Sequence, residues 1–320
     1  METLHTAKLR GRIGMIRRKR LIVSAGSFVM AGYLSTAIAQ GFTVGEPLGA
    51  TNQSGDFVEM SSNVTVYGSF HFTESCTFDP NRNLILAMNR GNDGGSDDGF
   101  VSLINPDGSV HTSKWIGATR EGLELRDPIG SAIAGNILFT ADNGSREVRT
   151  FNLDTGEPIS AVSIPGEGFI NGIAGRDDGS SYLSDTGQGV IYQISPDGEV
   201  SVFTEGAPLN RPNGVAIDND GNIVVVNIGD SAVITYDQNA QVVKQEAAVE
   251  GGNDGVVVLR NGTKYVSSVR FGSVSRIDSE GDAQIIARGI PSAASMCYDS
   301  IQNQLVIPMN PNNSLAFIRL

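Results

Sequence analysis

Beyond residue 60 the chain alternates short apolar runs with short turn-forming stretches, and no segment sustains a helical period. Asn136-Ile137-Leu138-Phe139-Thr140-Ala141, Val148-Arg149-Thr150-Phe151-Asn152-Leu153, Ser181-Tyr182-Leu183-Ser184 and Gly189-Val190-Ile191-Tyr192-Gln193-Ile194 are rich in β-branched and aromatic residues. Each is bounded by turn formers, which is how strands read. Pro106-Asp107-Gly108, Asp154-Thr155-Gly156, Pro196-Asp197-Gly198, Asp220-Gly221 and Asn261-Gly262 mark tight turns between them. The pattern predicts an all-β chain.

The strands also recur in units. Asn171-Gly172-Ile173-Ala174, Asn213-Gly214-Val215-Ala216 and Asp254-Gly255-Val256-Val257 each set a carboxamide or carboxylate before a glycine and an apolar run. Counting the first strand of each unit from Phe78, Ile133, Ile173, Val215, Val256 and Cys297 gives steps of 55, 40, 42, 41 and 41 residues. A Gly/Asp-rich insertion, Asn89 to Gly99, accounts for the long first step and reads as a surface loop rather than an EF-hand. Six units of four short strands predict a six-bladed β-propeller over 61–320, with a pair of β-sandwiches as the main alternative. The sixth unit is one strand short. Asn63-Val64-Thr65-Val66-Tyr67 would supply it and close the ring, removing exposed sheet edges.

The first 39 residues follow other rules. Lys8, Arg10, Arg12, Arg17, Arg18, Lys19 and Arg20 precede an apolar stretch, Leu21 to Leu34, and the small-residue end Ala37-Ile38-Ala39. That order predicts a secretory signal peptide over 1–39, through the Sec or the Tat route, and a periplasmic or extracellular protein. The run is too short and too interrupted for a membrane anchor, so no stable membrane insertion is expected after cleavage. Residues 40–60 carry little pattern and read as a lead-in. The net charge is −12, and losing seven bases and Glu2 makes it −18. So acidic a body disfavours nucleic acid and anionic membranes. Cys76 and Cys297 are the two cysteines; they either pair in an oxidising compartment or remain buried thiols on neighbouring inner strands.

In a propeller the first strand of each blade lines the central channel, so residues at one repeat position converge. Asn171, Asn213 and Asp254 share that position, and the first blade offers Glu74. Singly, Asn-Gly and Asp-Gly are ordinary turn pairs. Three at equivalent positions, each leading into an apolar strand, read as ligands. Two carboxylates and two amide oxygens suit one hard divalent cation, Ca²⁺ first, with Zn²⁺ or Mn²⁺ as alternatives. His71 and His111 lack zinc-ligand spacing.

The segments Glu74-Ser75-Cys76-Thr77-Phe78-Asp79, Phe169-Ile170-Asn171-Gly172, Arg211-Pro212-Asn213-Gly214-Val215-Ala216-Ile217-Asp218 and Asn253-Asp254-Gly255 carry a family resemblance. The chain resembles the senescence-marker-protein/gluconolactonase family of six-bladed propellers over 61–320. The resemblance implies one divalent cation in the channel, held by Glu74, Asn171, Asn213 and Asp254, with Asp254 also as general base. It implies a small-molecule lactone or ester as partner. Family lactonases often place an arginine just before the blade-three asparagine. Here Gly168-Phe169-Ile170 is apolar, which puts Phe169 forward as a substrate contact and disfavours a hydrophilic sugar lactone. Arg126, in Arg126-Asp127-Pro128-Ile129-Gly130, could supply charge at the channel mouth instead, although a surface salt bridge explains it equally well.

Three readings follow. The first is a metal-dependent lactonase or esterase, favoured because no G-x-S-x-G elbow or recognisable histidine triad is present. The second is an exported binding or scaffold module with a structural ion. The third is a relative of strictosidine-synthase-like or paraoxonase-like propellers, acting on an apolar substrate. The oligomeric state is not legible.

Overall fold

The computed structural model describes Gly49–Thr51, Phe57–Glu59, Ser61–Val66, residues 70–92 and residues 96–320. The expected signal peptide, 1–39, lies outside the described residues. Within the expected lead-in, Gly49–Thr51 pairs antiparallel with Phe57–Glu59, a strand pair that its composition did not announce.

Six four-stranded antiparallel sheets form the body, and they are the six blades. Blade one runs outward through Thr73–Asp79, Leu84–Asn89, Phe100–Ile104 and Val110–Gly117. The inner strands of the next four blades are Pro128–Ala134, Ile170–Gly175, Pro212–Ile217 and Asn253–Val258. Blade six is built from Cys297–Asp299, Gln304–Met309 and Ser314–Arg319, and its outermost strand is Ser61–Val66 from the other end of the chain. Ser314 pairs with Val66 and Ala316 with Val64, which closes the ring as the strand count required.

Burial follows position in the blade. Ile223–Asn227 is buried along its whole length, whereas the outermost strand of the same blade, Val242–Ala247, alternates between exposed and half-buried. A strand covered on both faces reads as an unbroken apolar run, Ile223-Val224-Val225-Val226, and an outer strand does not. The apolar core falls into six clusters, one between each pair of adjacent blades. Phe139, Val148 and Ile164 of blade two meet Ile170, Ile173 and Leu183 of blade three. Phe78, Ile85 and Ile104 of blade one meet Val306, Leu315 and Phe317 of blade six. Each buried side chain of this size contributes about 1.5–3 kcal/mol of transfer free energy, so every blade interface is a substantial hydrophobic joint.

Cys76 and Cys297 form a disulfide across this last joint, with Cα atoms 5.4 Å apart. Among the two alternatives open from sequence, the pair is the one observed. Among the described residues no helix is long and apolar enough to cross a membrane.

Candidate functional site

The inner strand of five blades pairs with its neighbour regularly except at one place. The register slips between Thr73 and Ser75, Pro128 and Gly130, Ile170 and Ile173, Pro212 and Val215, and Asn253 and Val256. Those slips bracket Glu74, Ile129, Asn171, Asn213 and Asp254. A bulge takes a residue out of the ladder and re-aims its side chain, a recurrent device at the rims of closed sheets and beside active sites. In blade six Ala294 takes the corresponding place, because the parallel bridge sets Ser295 level with Ser75, the residue after the blade-one bulge. From Glu74 through Ile129, Asn171, Asn213 and Asp254 to Ala294 the steps are 55, 42, 42, 41 and 40 residues.

The glycine after each of these positions is needed for contact between blades. Gly130, Gly172, Gly214 and Gly255 lie outside the left-handed region. A β-carbon on Gly130 would meet the Asn171 carbonyl oxygen at 2.0 Å, one on Gly172 the Asn213 carbonyl oxygen at 2.3 Å, and one on Gly214 the Asp254 carbonyl oxygen at 2.5 Å. Each blade's bulge therefore rests directly on the backbone of the next blade's bulge. The Asn-Gly and Asp-Gly pairs are not turns; they are the points where the inner ring is drawn tight.

Acids at the ends of the second strands hold the loops that lead into the ring. The Asp142 carboxylate accepts the backbone N–H of Asp127 at 2.7 Å, and Asp185 accepts that of Phe169 at 2.9 Å. Ser184 Oγ accepts the Gly172 N–H at 2.9 Å and donates to the Asn213 carbonyl at 2.5 Å, coupling the bulges of blades three and four.

Glu74, Asn171, Asn213 and Asp254 are all buried, at 8%, 5%, 1% and 4% exposure. Asn213 Nδ2 donates to Asp254 Oδ2 at 3.2 Å, while Asn213 Oδ1 and Asp254 Oδ1 are buried with no hydrogen-bond partner. Asn310 donates to Glu74 Oε2, and the Ser295 side chain stands beside the Asp254 carboxylate. Burial pushes the Glu74 carboxyl up to about 8, with the nearby Asp254 and Asp127 charges adding to the rise and Arg90 and the Asn310 hydrogen bond opposing it. Burial likewise pushes Asp254 up to about 7, against its hydrogen bonds from Ser295 and Asn213. Two carboxyl groups are thus enclosed close enough to repel each other.

This donor set fits a hard cation. Orphaned buried oxygens cost about 1–3 kcal/mol each when nothing binds them, and a divalent ion would satisfy Asn213 Oδ1 and Asp254 Oδ1 together. Among the described residues no group of three or more His, Cys, Asp or Glu side chains gathers, so an ion here would rest on two carboxylates and two carboxamides. An all-oxygen set of that kind suits Ca²⁺ better than a nitrogen- and sulfur-seeking Zn²⁺.

Residues 75–249 match the SMP-30/gluconolactonase/LRE-like region. The chain belongs to this family. No curated protein matches it. Among solved structures, a gluconolactonase from Xanthomonas campestris is 19% identical, with a TM-score of 0.65 over 88% of this chain and 98% of that one. A virginiamycin B lyase from Staphylococcus aureus, an inactive variant with quinupristin, is 14% identical, with a TM-score of 0.57 over 81% of this chain and 98% of that one. At such identities the likeness is one of fold.

The remaining sequence candidates in this SMP-30/gluconolactonase/LRE-like propeller are Arg126 and Phe169. Arg126 is exposed, its Nε 2.7 Å from Asp97 Oδ1 in the blade-one insertion, so its ion-pair partner is Asp97, while the neighbouring Asp127 pairs with Arg90. Phe169 is half-buried two residues before Asn171, its carbonyl accepting the Thr186 N–H at 2.8 Å. The charge beside the ring is Arg90, which sequence reasoning passed over. Its Nε and Nη2 grip Asp127 at 2.5 and 3.1 Å, and its guanidinium lies 4.8 Å from the centre of the Phe72 ring. Ser295 and Asn310 were also missed. The blade-two position was legible, since Pro128-Ile129-Gly130 parallels Pro212-Asn213-Gly214 with an apolar residue in the ligand's place.

Proposed function

We propose that this chain is a metal-dependent hydrolase of the gluconolactonase type, opening a lactone or other carboxylic ester at one divalent cation, Ca²⁺ first, held by Glu74, Asn171, Asn213 and Asp254. The observation that carries the reading is the pair of buried, unpartnered oxygens on Asn213 and Asp254, set beside a second buried carboxylate at bulges of the inner ring. When bound, the cation would polarise the ester carbonyl and stabilise the oxyanion that develops on it.

The chain's own residues do the rest. Asp254 takes the proton of the attacking water, and Asn213, hydrogen-bonded to its other oxygen, fixes the carboxylate plane. Asn310 and Ser295 orient the two carboxylates. Ile129 in blade two offers no side-chain oxygen, so Glu74, Asn171, Asn213 and Asp254 would hold the ion, and Ca²⁺, which takes 6–8 oxygen ligands, would also draw on water and a substrate oxygen. The half-buried Phe169 supports an apolar rather than a sugar-like acyl portion. The Cys76–Cys297 bond suits the oxidising compartment that export of the chain would reach.

A second reading has its own support: exposures of 8% or less suit an ion that only pins the blades. One experiment separates them. Purified protein, stripped with a chelator and reloaded with Ca²⁺, is assayed on aliphatic, aromatic and sugar lactones. The hydrolase reading expects activity that disappears on stripping, returns with Ca²⁺, and falls at least about a hundredfold in Asp254→Asn. Hydrolysis that survives complete demetallation defeats the mechanism. Ion binding with no turnover on any lactone leaves the structural-ion reading standing.

A further inference from the structure

The joint between blades one and six is built unlike the others. Blades two to five each bring a glycine against the next blade, whereas blade six presents Ser295 to blade one at that place. Ser75 bridges to Ser295 by two backbone hydrogen bonds: the Cys76 N–H donates to the Ser295 carbonyl, and the Ser295 N–H donates to the Glu74 carbonyl, both at 3.2 Å. The inner strand of blade six, Cys297–Asp299, has three residues where the other inner strands have six or seven, so few ladder bonds hold it. The disulfide lies immediately beside this bridge, joining Cys76 to Cys297.

The same short segment touches both acids of the ring. Ser295 is bonded through its N–H to the backbone of Glu74, and its side chain stands beside the carboxylate of Asp254. Cys76 follows Glu74 by two residues, and Cys297 follows Ser295 by two. Both half-cystines are buried, at 4% and 6%, against Phe78, Val306 and Phe317. A bond so shielded holds a geometry and does not switch it.

We propose that the Cys76–Cys297 disulfide positions the cation site, keeping Glu74 in register with Asp254 so that both carboxylates address one ion. The inference rests on the cation reading above. Loss of the bond would let the one–six joint relax, separating the two charged donors while the carboxamide donors of blades three and four stay in place. Residues that orient metal ligands typically cost ten- to hundredfold in affinity when removed.

The test compares the full-length wild type with C76V/C297A, whose apolar pair refills the site, in calorimetric Ca²⁺ titrations and Tb³⁺ luminescence at a temperature where circular dichroism shows both folded. The expected result is one ion per wild-type chain and a Kd about ten- to hundredfold higher in the variant. Val306→Ala, in the same cluster but outside the Ser75–Ser295 bridge, lowers the melting temperature and leaves the Kd within about twofold, which separates positioning from mere stability. Ser295→Ala keeps the disulfide, removes its tie to Asp254 and is expected to raise the Kd severalfold, so the idea stays exposed even if the double variant does not fold. A Kd unchanged in C76V/C297A, or in Ser295→Ala, overturns the inference and leaves the cation reading intact. A wild type that binds neither probe overturns both.

Discussion

Replacing Gly172 with alanine asks whether the repeated glycines serve conformation or contact. The Gly172 backbone lies outside the left-handed region, so alanine could adopt it. If freedom of the unfolded chain were all that mattered, Gly172→Ala would stabilise the protein by about 0.4–1 kcal/mol. The structure predicts the opposite sign. The new β-carbon would lie 2.3 Å from the Asn213 carbonyl oxygen and 2.9 Å from the Gly214 α-carbon, so the backbone of blade four must retreat by about 1 Å to restore ordinary contact. That carbonyl is held by Ser184 Oγ at 2.5 Å. Overpacking of this kind costs about 1–3 kcal/mol, and a weakened hydrogen bond about 1 kcal/mol more. The sum, roughly 2–4 kcal/mol, corresponds to a melting temperature about 5–15 °C lower for a domain of this size. Gly189 is the control: its φ is 72° with nothing near its α-carbon, so Gly189→Ala meets only left-handed strain of about 1–2 kcal/mol and leaves the ring untouched. Scanning calorimetry in chelator and in Ca²⁺ reads both effects, because moving Asn213 also weakens the ion's stabilisation. A Gly172→Ala protein as stable as wild type, with an undiminished Ca²⁺ shift, would refute the contact argument.

Other outcomes are expected from the same geometry. Glu74 rises from an ordinary value of 4.5 to about 8, and Asp254 from 3.8 to about 7. The unfolded chain then gives up these protons first, so cation-free stability is highest below about pH 4 and falls as pH rises towards 8, levelling above it. Saturating Ca²⁺ binds the ionised pair and should flatten that fall; denaturant midpoints measured from pH 4 to 9 with and without the ion decide the matter. Arg90→Met strands a buried Asp127 beside Glu74 and should cost about 1–3 kcal/mol, discounted because Arg90 keeps 26% of its side chain exposed. Arg126→Ala breaks a pair whose partners are 48% and 44% exposed and should leave the urea midpoint nearly unchanged, so a larger loss than in Arg90→Met counts against this placement of the two arginines. The chain-entropy relation for a closed loop of 221 residues sets an upper bound of about 5 kcal/mol on the disulfide, so C76V/C297A should lose about 2–5 kcal/mol in urea unfolding, and no loss would deny the bond a part in holding the ring.

Strand number and blade number could be read directly because both faces of a blade's second strand are covered, which forces runs such as Ile223-Val224-Val225-Val226, and because each unit ends at turn formers. The ligand candidates were readable where a polar residue interrupted that apolar logic before a glycine, as at Asn171, Asn213 and Asp254. Blade two misled because its charged pair, Arg126-Asp127, drew attention from the unremarkable Ile129 that occupies the equivalent bulge. Arg90, Ser295 and Asn310 escaped because nothing local marks them. Arg90 is 37 residues from Asp127, and Asn310 is 236 residues from Glu74.

Periodicity along the chain, then, settled the fold class, the blade count and the borrowed strand that shuts the ring, since all three follow from which segments must hide both faces from water. Ring closure in space decided the rest: which glycines are contacts and not turns, that Cys76 meets Cys297, and which arginine stands beside the acids. Those outcomes depend on distances between blades one and six and between successive bulges, and a linear pattern of polar and apolar residues carries no record of such distances until every joint has packed.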